Sequence, residues 1–467
     1  MIGEAVNLQQ KYLERFIERY NNSTRTSKQF TQKYRPILAD SRVSDGFNFV
    51  VKEMLYPIVA KRSLGSKIWD VDGNEYIDLT MGFGINLFGH NPPFIKEALQ
   101  EQLELGIQIG PQTELVGEVA QLICEFTQME RVTFSNTGTE AVMTAVRVAR
   151  AVTGRNKIVL FSGSYHGHFD GTLAKAQAVP IAPGVLPNFV ADILVLDYGN
   201  PQSLEIIKAS QNELAAVLVE PVQTRRPNFQ PKKFLLQLRQ LTKESEIPLI
   251  FDEMVTGFRI HPGGAQAYFG IQADIATYGK IVGGGMPIGI IAGKAAYMDA
   301  IDGGMWNYGD ESSPQTKQTF FAGTHCKHPL SITASLAVLK HLKTQGSVLH
   351  ERLNQRTSQF VETLNACFEE EELPIQLANF GSLFGPAVLG NDRLSNNGAA
   401  SASMDLLFYH LLDKGVLLRG VGNFLSTAHS DEDIEYVIQA VKDSIQELRE
   451  GGFLPSISRK RTSVQAV

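Results

Sequence analysis

The chain has 467 residues, a formal net charge of -6, 43% hydrophobic residues and 20% charged residues, which describes an ordinary globular protein with room for one large domain and a smaller one. A mildly acidic chain without a long basic block argues against a nucleic-acid partner, and the lack of an apolar run of about 18 residues argues against a membrane span. Cys124, Cys326 and Cys367 are too widely spaced for a disulfide framework and point, with a polar start unlike a secretory signal, to a reducing cytoplasm.

Leu8 to Tyr20 carries apolar groups at helical spacing, and Asn21-Asn22-Ser23-Thr24 ends the run with poor helix formers. This helix can pack on its own core or on a partner subunit, and its own core is the expectation. Lys67 to Leu79 alternates on both sides of Asp72-Gly73-Asn74, which predicts a β-hairpin. From about residue 115 to 295, short apolar strands alternate with helical stretches: Val132–Phe134, Lys157–Phe161, Asp192–Leu196, Ala216–Val219, Pro248–Phe251 and Asp274–Tyr278. That alternation predicts an α/β fold around a mainly parallel sheet. Helices dominate past about residue 345, and Ser430 is placed to cap a last helix running towards Arg449. The expected organisation is a helical or linker segment over 1–45, the first part of a small domain over 46–110, a large domain over 111–340, the rest of the small domain over 341–455, and a tail over 456–467.

Ligands of open α/β sheets collect at the carboxyl ends of the strands, so the residues after each strand are the ones to inspect. Ser135-Asn136-Thr137-Gly138-Thr139-Glu140 follows the first strand and opens a helix, offering free N–H groups and hydroxyls to a phosphate. Any capped strand-to-helix turn looks similar. Ser164-Tyr165-His166-Gly167-His168 follows the second, with an aromatic ring able to lie against a planar ligand. His166 and His168 raise a metal pair without a carboxylate or cysteine at ligand spacing, His325-Cys326-Lys327-His328 raises the same question, and a non-metal role is expected of both. Glu220 and Asp252-Glu253 end two further strands and can serve as an acid/base pair, as ligands, or simply as helix caps. Gly279-Lys280 ends the last one, where a lysine flanked by glycines can approach a ligand closely and condense with an aldehyde; alone, it would read as a surface lysine. A phosphate that needs a helix start, a ring nitrogen that needs a carboxylate and an aldehyde that needs a lysine together describe pyridoxal 5'-phosphate.

Asp252-Glu253-Met254-Val255-Thr256-Gly257-Phe258-Arg259 followed by Lys280 resembles the signature of class III aminotransferases, and its Gly-Phe-Arg form is similar to glutamate-1-semialdehyde aminomutases. Gly323-Thr324-His325-Cys326-Lys327-His328-Pro329 resembles the family's Gly-Thr-x-x-x-Asn-Pro segment, with His328 in place of Asn. Tyr34-Arg35-Pro36, Lys52 to Pro57, Met81-Gly82-Phe83-Gly84 and Glu220 to Pro227 look like the aminotransferase domains of hybrid polyketide/nonribosomal peptide synthases. The resemblance spans about residues 50 to 450. It implies a fold-type I architecture, with a large mainly parallel seven-stranded sheet domain and a smaller α+β domain.

By the same resemblance Lys280 carries the cofactor and shuttles a proton, and Asp252 keeps the ring nitrogen protonated. Thr137, Gly138 and Thr139 hold the phosphate, Tyr165 stacks on the ring, Met254 packs under it, and His166 and Glu220 lie nearby. Thr324 reaches the phosphate in the other subunit of a homodimer with shared active sites. The implied reaction moves an amine from a glutamate- or glutamine-like donor to a β-keto acyl chain on the phosphopantetheine of an acyl carrier protein. The rival readings are an aminomutase acting within one small substrate and a cofactor-binding scaffold without turnover. Phe83, Arg225 and Arg226 are the expected substrate contacts, the arginines by bidentate pairing with a carboxylate or else as structural ion pairs. The late segment Asn423-Phe424-Leu425-Ser426-Thr427 offers no arginine, so the dual-substrate switch of many ω-aminotransferases is expected to be absent.

Overall fold

The computed structural model describes residues 2–44, 47–175, 179–387 and 398–455; the expected tail lies outside them. Its centre is a sheet of seven strands in the order Arg131–Ser135, Gly289–Gly293, Ile275–Tyr278, Leu249–Asp252, Leu214–Val219, Lys157–Phe161, Ile193–Leu196. Every residue of Leu214–Val219 is buried. Side chains alternate across a strand, so Val217 and Val219 enter one hydrophobic cluster while Ala216 and Leu218 enter the other. Burial on both faces is why these strands read as unbroken apolar runs. The helix Gly138–Thr153 covers one face with Ala141, Val142, Ala145, Val146, Val148 and Ala149. The helices Leu115–Thr127 and Pro329–Gln345 lie on the opposite side, their Val119, Ile123, Val338 and Leu342 joining the larger cluster.

The six strands expected from the sequence are all present, and Gly289–Gly293 is the seventh. It runs antiparallel to both neighbours, so no crossover helix precedes it. Its two terminal glycines and three apolar residues carry no alternation, which is why the sequence pattern passed over it.

The predicted hairpin forms between Lys67–Asp70 and Glu75–Asp78, with Asp70 Oδ1 accepting from the backbone N–H of Asp72 at 2.9 Å and of Asn74 at 2.8 Å. Ala60–Leu64 joins on one side, and Val416–Leu417, from the far end of the chain, pairs parallel with Glu75–Asp78 on the other. A second small sheet joins Leu377–Phe380, Leu383–Pro386 and Asn423–Phe424. Asn423–Phe424 is the strand of this sheet from which Phe424 reaches the cleft described below.

The leading helix spans Ile2–Ser23 and packs on the chain's own core through Phe16 and Tyr20, with Phe16 stacked on the His410 ring at 4.0 Å. It does stop at the poor helix formers, but a second helix, Arg25–Tyr34, starts at once after Thr24. That helix was not legible because its polar sequence has no apolar stripe; it is held from outside, with Asp72 accepting from the Thr26 and Ser27 N–H groups. Ser430 caps Asp431–Glu450 through a capping box with Asp433, as its sequence predicts. Among the described residues no helix is long and apolar enough to cross a membrane.

Candidate active site

A cleft of about 680 Å³ opens at the carboxyl edge of the central sheet. Val219 and Phe251 pair in register, so Glu220 and Asp252, the next residues on each strand, stand side by side. Asp252 is 2% exposed. Its Oδ2 lies 2.7 Å from His166 Nδ1, and its Oδ1 accepts from the Met254 N–H at 3.1 Å and the Thr277 hydroxyl at 3.3 Å. Glu220 accepts from the Thr224 N–H and hydroxyl, at 3.1 and 3.0 Å, and from the Tyr165 N–H at 3.2 Å. Burial raises the Glu220 pKa, and the neighbouring His166 works against that rise.

Lys280 follows the Ile275–Tyr278 strand after one glycine, with its backbone in the left-handed region at φ 39. Burial away from water lowers the pKa of its amine; Asp252 and Glu220 oppose this, and the positive charges of Arg259 and Arg419 add to it. Thr137 caps the helix Gly138–Thr153, its hydroxyl accepting from the Glu140 N–H at 3.1 Å while Glu140 accepts from the N–H groups of Asn136 and Thr137. That leaves the first N–H groups of the helix proper, those of Gly138 and Thr139, for an anion. Gly167 lets the Tyr165–His168 loop descend on this turn. Its φ is 82, and a Cβ there would stand 2.4 Å from the Thr139 hydroxyl.

The cleft therefore gathers Thr137, Gly138, Thr139, Tyr165, His166, Glu220, Asp252, Met254 and Lys280, together with Phe83 and Arg225 at its mouth. Two expected residues stand elsewhere. Arg226 does not line the cleft, and its guanidinium lies over the Phe229 ring at 4.6 Å. Thr324 is exposed and outside this chain's own cleft. His328 takes up the capping role on Pro329–Gln345, its Nδ1 accepting from the Leu330 N–H at 3.2 Å. Among the described residues no group of three His, Cys, Asp or Glu side chains could hold a metal ion.

The segment Asn423–Thr427 brings no arginine to the cleft, but Arg419, four residues before it and not among the expected site residues, lines it. Its backbone is locked to the Asn423 side chain by two hydrogen bonds of 2.8 and 2.9 Å, and its guanidinium lies over the Phe83 ring at 4.2 Å. Arg419 stands just after the short strand Val416–Leu417, so the rule that inspects strand ends would have found it had that strand been recognised.

A family model, aminotransferase class-III, matches residues 49–445. The chain belongs to the class III aminotransferases. It is 37% identical over 410 residues to a glutamate-1-semialdehyde 2,1-aminomutase of Archaeoglobus fulgidus, which covers 84% of this chain and 93% of that protein. Among solved structures it is similar to an ω-transaminase from Sphaerobacter thermophilus, with a TM-score of 0.81, 27% identity, and 91% of this chain and 98% of that one covered. A β-phenylalanine aminotransferase from Variovorax paradoxus aligns with a TM-score of 0.80 and 29% identity over 94% of this chain and 98% of that one. The fold is fold-type I, and the chain is a pyridoxal-phosphate-dependent enzyme of the aminotransferase type.

Two features of this class III chain fit the cofactor. His166 Nε2 is buried without a hydrogen-bond partner. The Lys280 amine faces the same cleft, where Asp252, the helix start at Gly138 and the Tyr165 ring supply the other contacts that a phosphorylated pyridine aldehyde needs.

Proposed function

We propose that this enzyme moves an amino group within one small carboxylate substrate, in the manner of a glutamate-1-semialdehyde aminomutase. The observation that carries the reading is the 37% identity to such an enzyme across 93% of its length. Bound pyridoxal phosphate supplies an aldehyde that links to amines and a ring that takes up the electron pair left when the amine's carbon loses a proton. The chain's own groups divide the remaining work. The Gly138 and Thr139 N–H groups and the hydroxyls of Thr137 and Thr139 would hold the phosphate. Asp252, steadied by His166, would face the ring nitrogen, with Tyr165 and Met254 on the ring's two sides and Glu220 beside it. Lys280 Nζ would carry the aldehyde and then take a proton from the substrate carbon and return it to a neighbouring one. At the mouth, Arg419 and Arg225 offer guanidinium groups to a carboxylate.

Thr324 supports a homodimer, because its exposed segment is apolar in part (Met305, Tyr308 and Phe320) and would place it against the partner's cofactor phosphate.

A second reading keeps the same residues and changes the substrate: an amine passes from glutamate or glutamine to a β-keto acyl chain on a carrier protein. Its support is the synthase-like segments at Tyr34–Pro36, Lys52–Pro57, Met81–Gly84 and Glu220–Pro227, together with the likeness to a β-phenylalanine aminotransferase. One experiment separates the two. The holoenzyme is given glutamate 1-semialdehyde alone, and in parallel glutamate with a β-keto acyl pantetheine thioester. Conversion of the semialdehyde to an isomer of unchanged mass, with no keto acid released, is the expected result. Keto acid formed only in the second mixture replaces the aminomutase reading with the transaminase one.

A further inference from the structure

The strand Glu75–Asp78 ends on a fully buried carboxylate, that of Asp78. Its Oδ1 accepts from the Thr80 N–H at 2.8 Å, the Thr80 hydroxyl at 2.6 Å and the Met81 N–H at 3.2 Å. Its Oδ2 lies 2.8 Å from His90 Nε2, 12 residues further along the chain. The other nitrogen of that ring, Nδ1, lies 3.2 Å from the Asn86 side-chain nitrogen. An amide nitrogen only donates, so Nδ1 accepts, and the ring's proton sits on Nε2 and is given to Asp78. The Asn86 backbone N–H closes the circuit by donating to the Met81 carbonyl at 3.1 Å. His90 is itself anchored by a two-way backbone pairing with Gly65, at 2.7 and 3.0 Å.

A carboxylate taken out of water is costly to keep, and a serine could cap a turn without that cost. What the second carboxylate oxygen adds is a tie from the start of the turn to a residue beyond its end. Between the two lies a strained segment. Met81, Gly82, Phe83 and Gly84 have φ values of 43, 62, 61 and 91, four successive residues on the left-handed side. For Met81 and Phe83 that conformation persists only where the surroundings impose it. Gly82 is closed in by the same circuit, since a Cβ there would stand 3.1 Å from the Asn86 side-chain nitrogen. The turn sends its two large side chains opposite ways. Met81 is buried with Val255, Leu383 and Phe424, whereas Phe83 is 49% exposed and lines the cleft mouth.

We infer that Asp78 and His90 are positioning residues for substrate binding: the pair holds the Met81–Gly84 turn in its left-handed course and so sets the stance of Phe83, which bounds the space open to the substrate. Neither residue lines the cleft. They act through the Thr80 and Met81 N–H groups on Phe83. The inference rests on the reading above in one respect, that the amine substrate enters by this mouth.

The test uses the holoenzyme with glutamate 1-semialdehyde, read as KM against kcat, together with hydrogen exchange of the peptide over residues 79–86. His90→Phe keeps a ring and removes the donor to Asp78. It is expected to speed exchange in that peptide and to raise KM about 10-fold, the worth of one hydrogen bond to a charged group. Its kcat is expected to stay within about 3-fold of wild type, since only ground-state binding is lost. His90→Gln, whose amide still donates to Asp78, should bring KM back to within about 3-fold of wild type. Phe83→Ala should raise KM by a similar factor, and adding His90→Phe to it should cost nothing more, because both changes act through one ring. Asn86→Ala loosens the imidazole without removing it, and should move exchange and KM in the same directions even if His90→Phe folds poorly. The inference is overturned if exchange speeds up while KM stays at the wild-type value, if kcat falls with KM unchanged, or if the His90 and Phe83 effects multiply. Failure of the functional reading looks different. If wild type turns over only glutamate with the β-keto acyl thioester, the same comparison is made with that mixture; a wild type inactive on both sinks the functional reading and this inference with it.

Discussion

Glu220, Asp252 and Lys280 stand at the ends of three adjoining strands of one sheet, whereas Phe83 and Arg419 reach the cleft from segments far apart in sequence, with Arg259 buried behind them. The first set is fixed by strand register. The second set is fixed by a strained turn, a buried guanidinium that donates to the Gly84 carbonyl, and a parallel pairing of Val416–Leu417 with Glu75–Asp78. A floor built this way suits chemistry shared by a family. A mouth built from separate segments can change its substrate without disturbing the sheet.

The largest effect expected is at the floor. Lys280→Ala should lower turnover by roughly 10²–10⁴-fold, the range of a lost proton-transferring group, while the unfolding temperature of the cofactor-free protein stays near wild type. Single-turnover absorbance on addition of the amine checks it. A variant that retains near-normal turnover removes Lys280 from its assigned role, and with it the idea that the floor alone does the chemistry.

Next in size is a change at the mouth. Gly84→Ala forces a Cβ into the Phe424 ring and the Arg259 guanidinium at a φ of 91. The expected cost is about 1–3 kcal/mol, seen as a lower unfolding temperature and an order-of-magnitude (~10-fold) rise in KM. Gly117→Ala is the matched control. Nothing lies within 4 Å of the Cβ it would add, and it sits within the helix Leu115–Thr127, so it should be neutral or stabilising. Equal KM values in the two variants would erase the contrast between mouth and floor.

The same contrast explains how much of the molecule could be read beforehand. Six central strands, the hairpin and the Ser430 cap follow from local pattern, and the strand-end rule then leads to Glu220, Asp252 and Lys280. The helix Arg25–Tyr34 and the strand Gly289–Gly293 carry too little pattern of their own. Arg419 was missed because the strand before it has two residues and exists only through its partner Glu75–Asp78, with Val416 paired to Ile77, 339 positions away. Arg226 misled for the opposite reason: adjacent residues point different ways, and only Arg225 faces the cleft.

A smaller effect belongs to the phosphate turn. Thr137→Ala removes the acceptor of the Glu140 N–H, and the apoprotein should lose about 1 kcal/mol of stability in a denaturant titration. If the hydroxyl also touches the phosphate, cofactor affinity measured by dialysis should fall in addition, within about 10-fold. An unchanged affinity would confine Thr137 to capping and leave Gly138 and Thr139 as the phosphate cradle.

The smallest expected effect is a displacement of a pH profile, and it compares mouth and floor through one atom. Burial lowers the Lys280 pKa below that of an ordinary lysine, so more of the amine is neutral at any given pH. Because the neutral amine is the nucleophile, the rate at which apoprotein takes up pyridoxal phosphate should rise with pH and level off before an ordinary lysine would titrate. Arg419 pushes the amine further down, while Glu220 pulls it up. Arg419→Ala should therefore move the plateau to higher pH, and Glu220→Gln should move it to lower pH. Stopped-flow absorbance across the alkaline range resolves the two directions. Shifts of opposite sign would establish that charge at the mouth tunes the floor's nucleophile; shifts of the same sign would mean that burial of the amine, and not the charges, sets the profile.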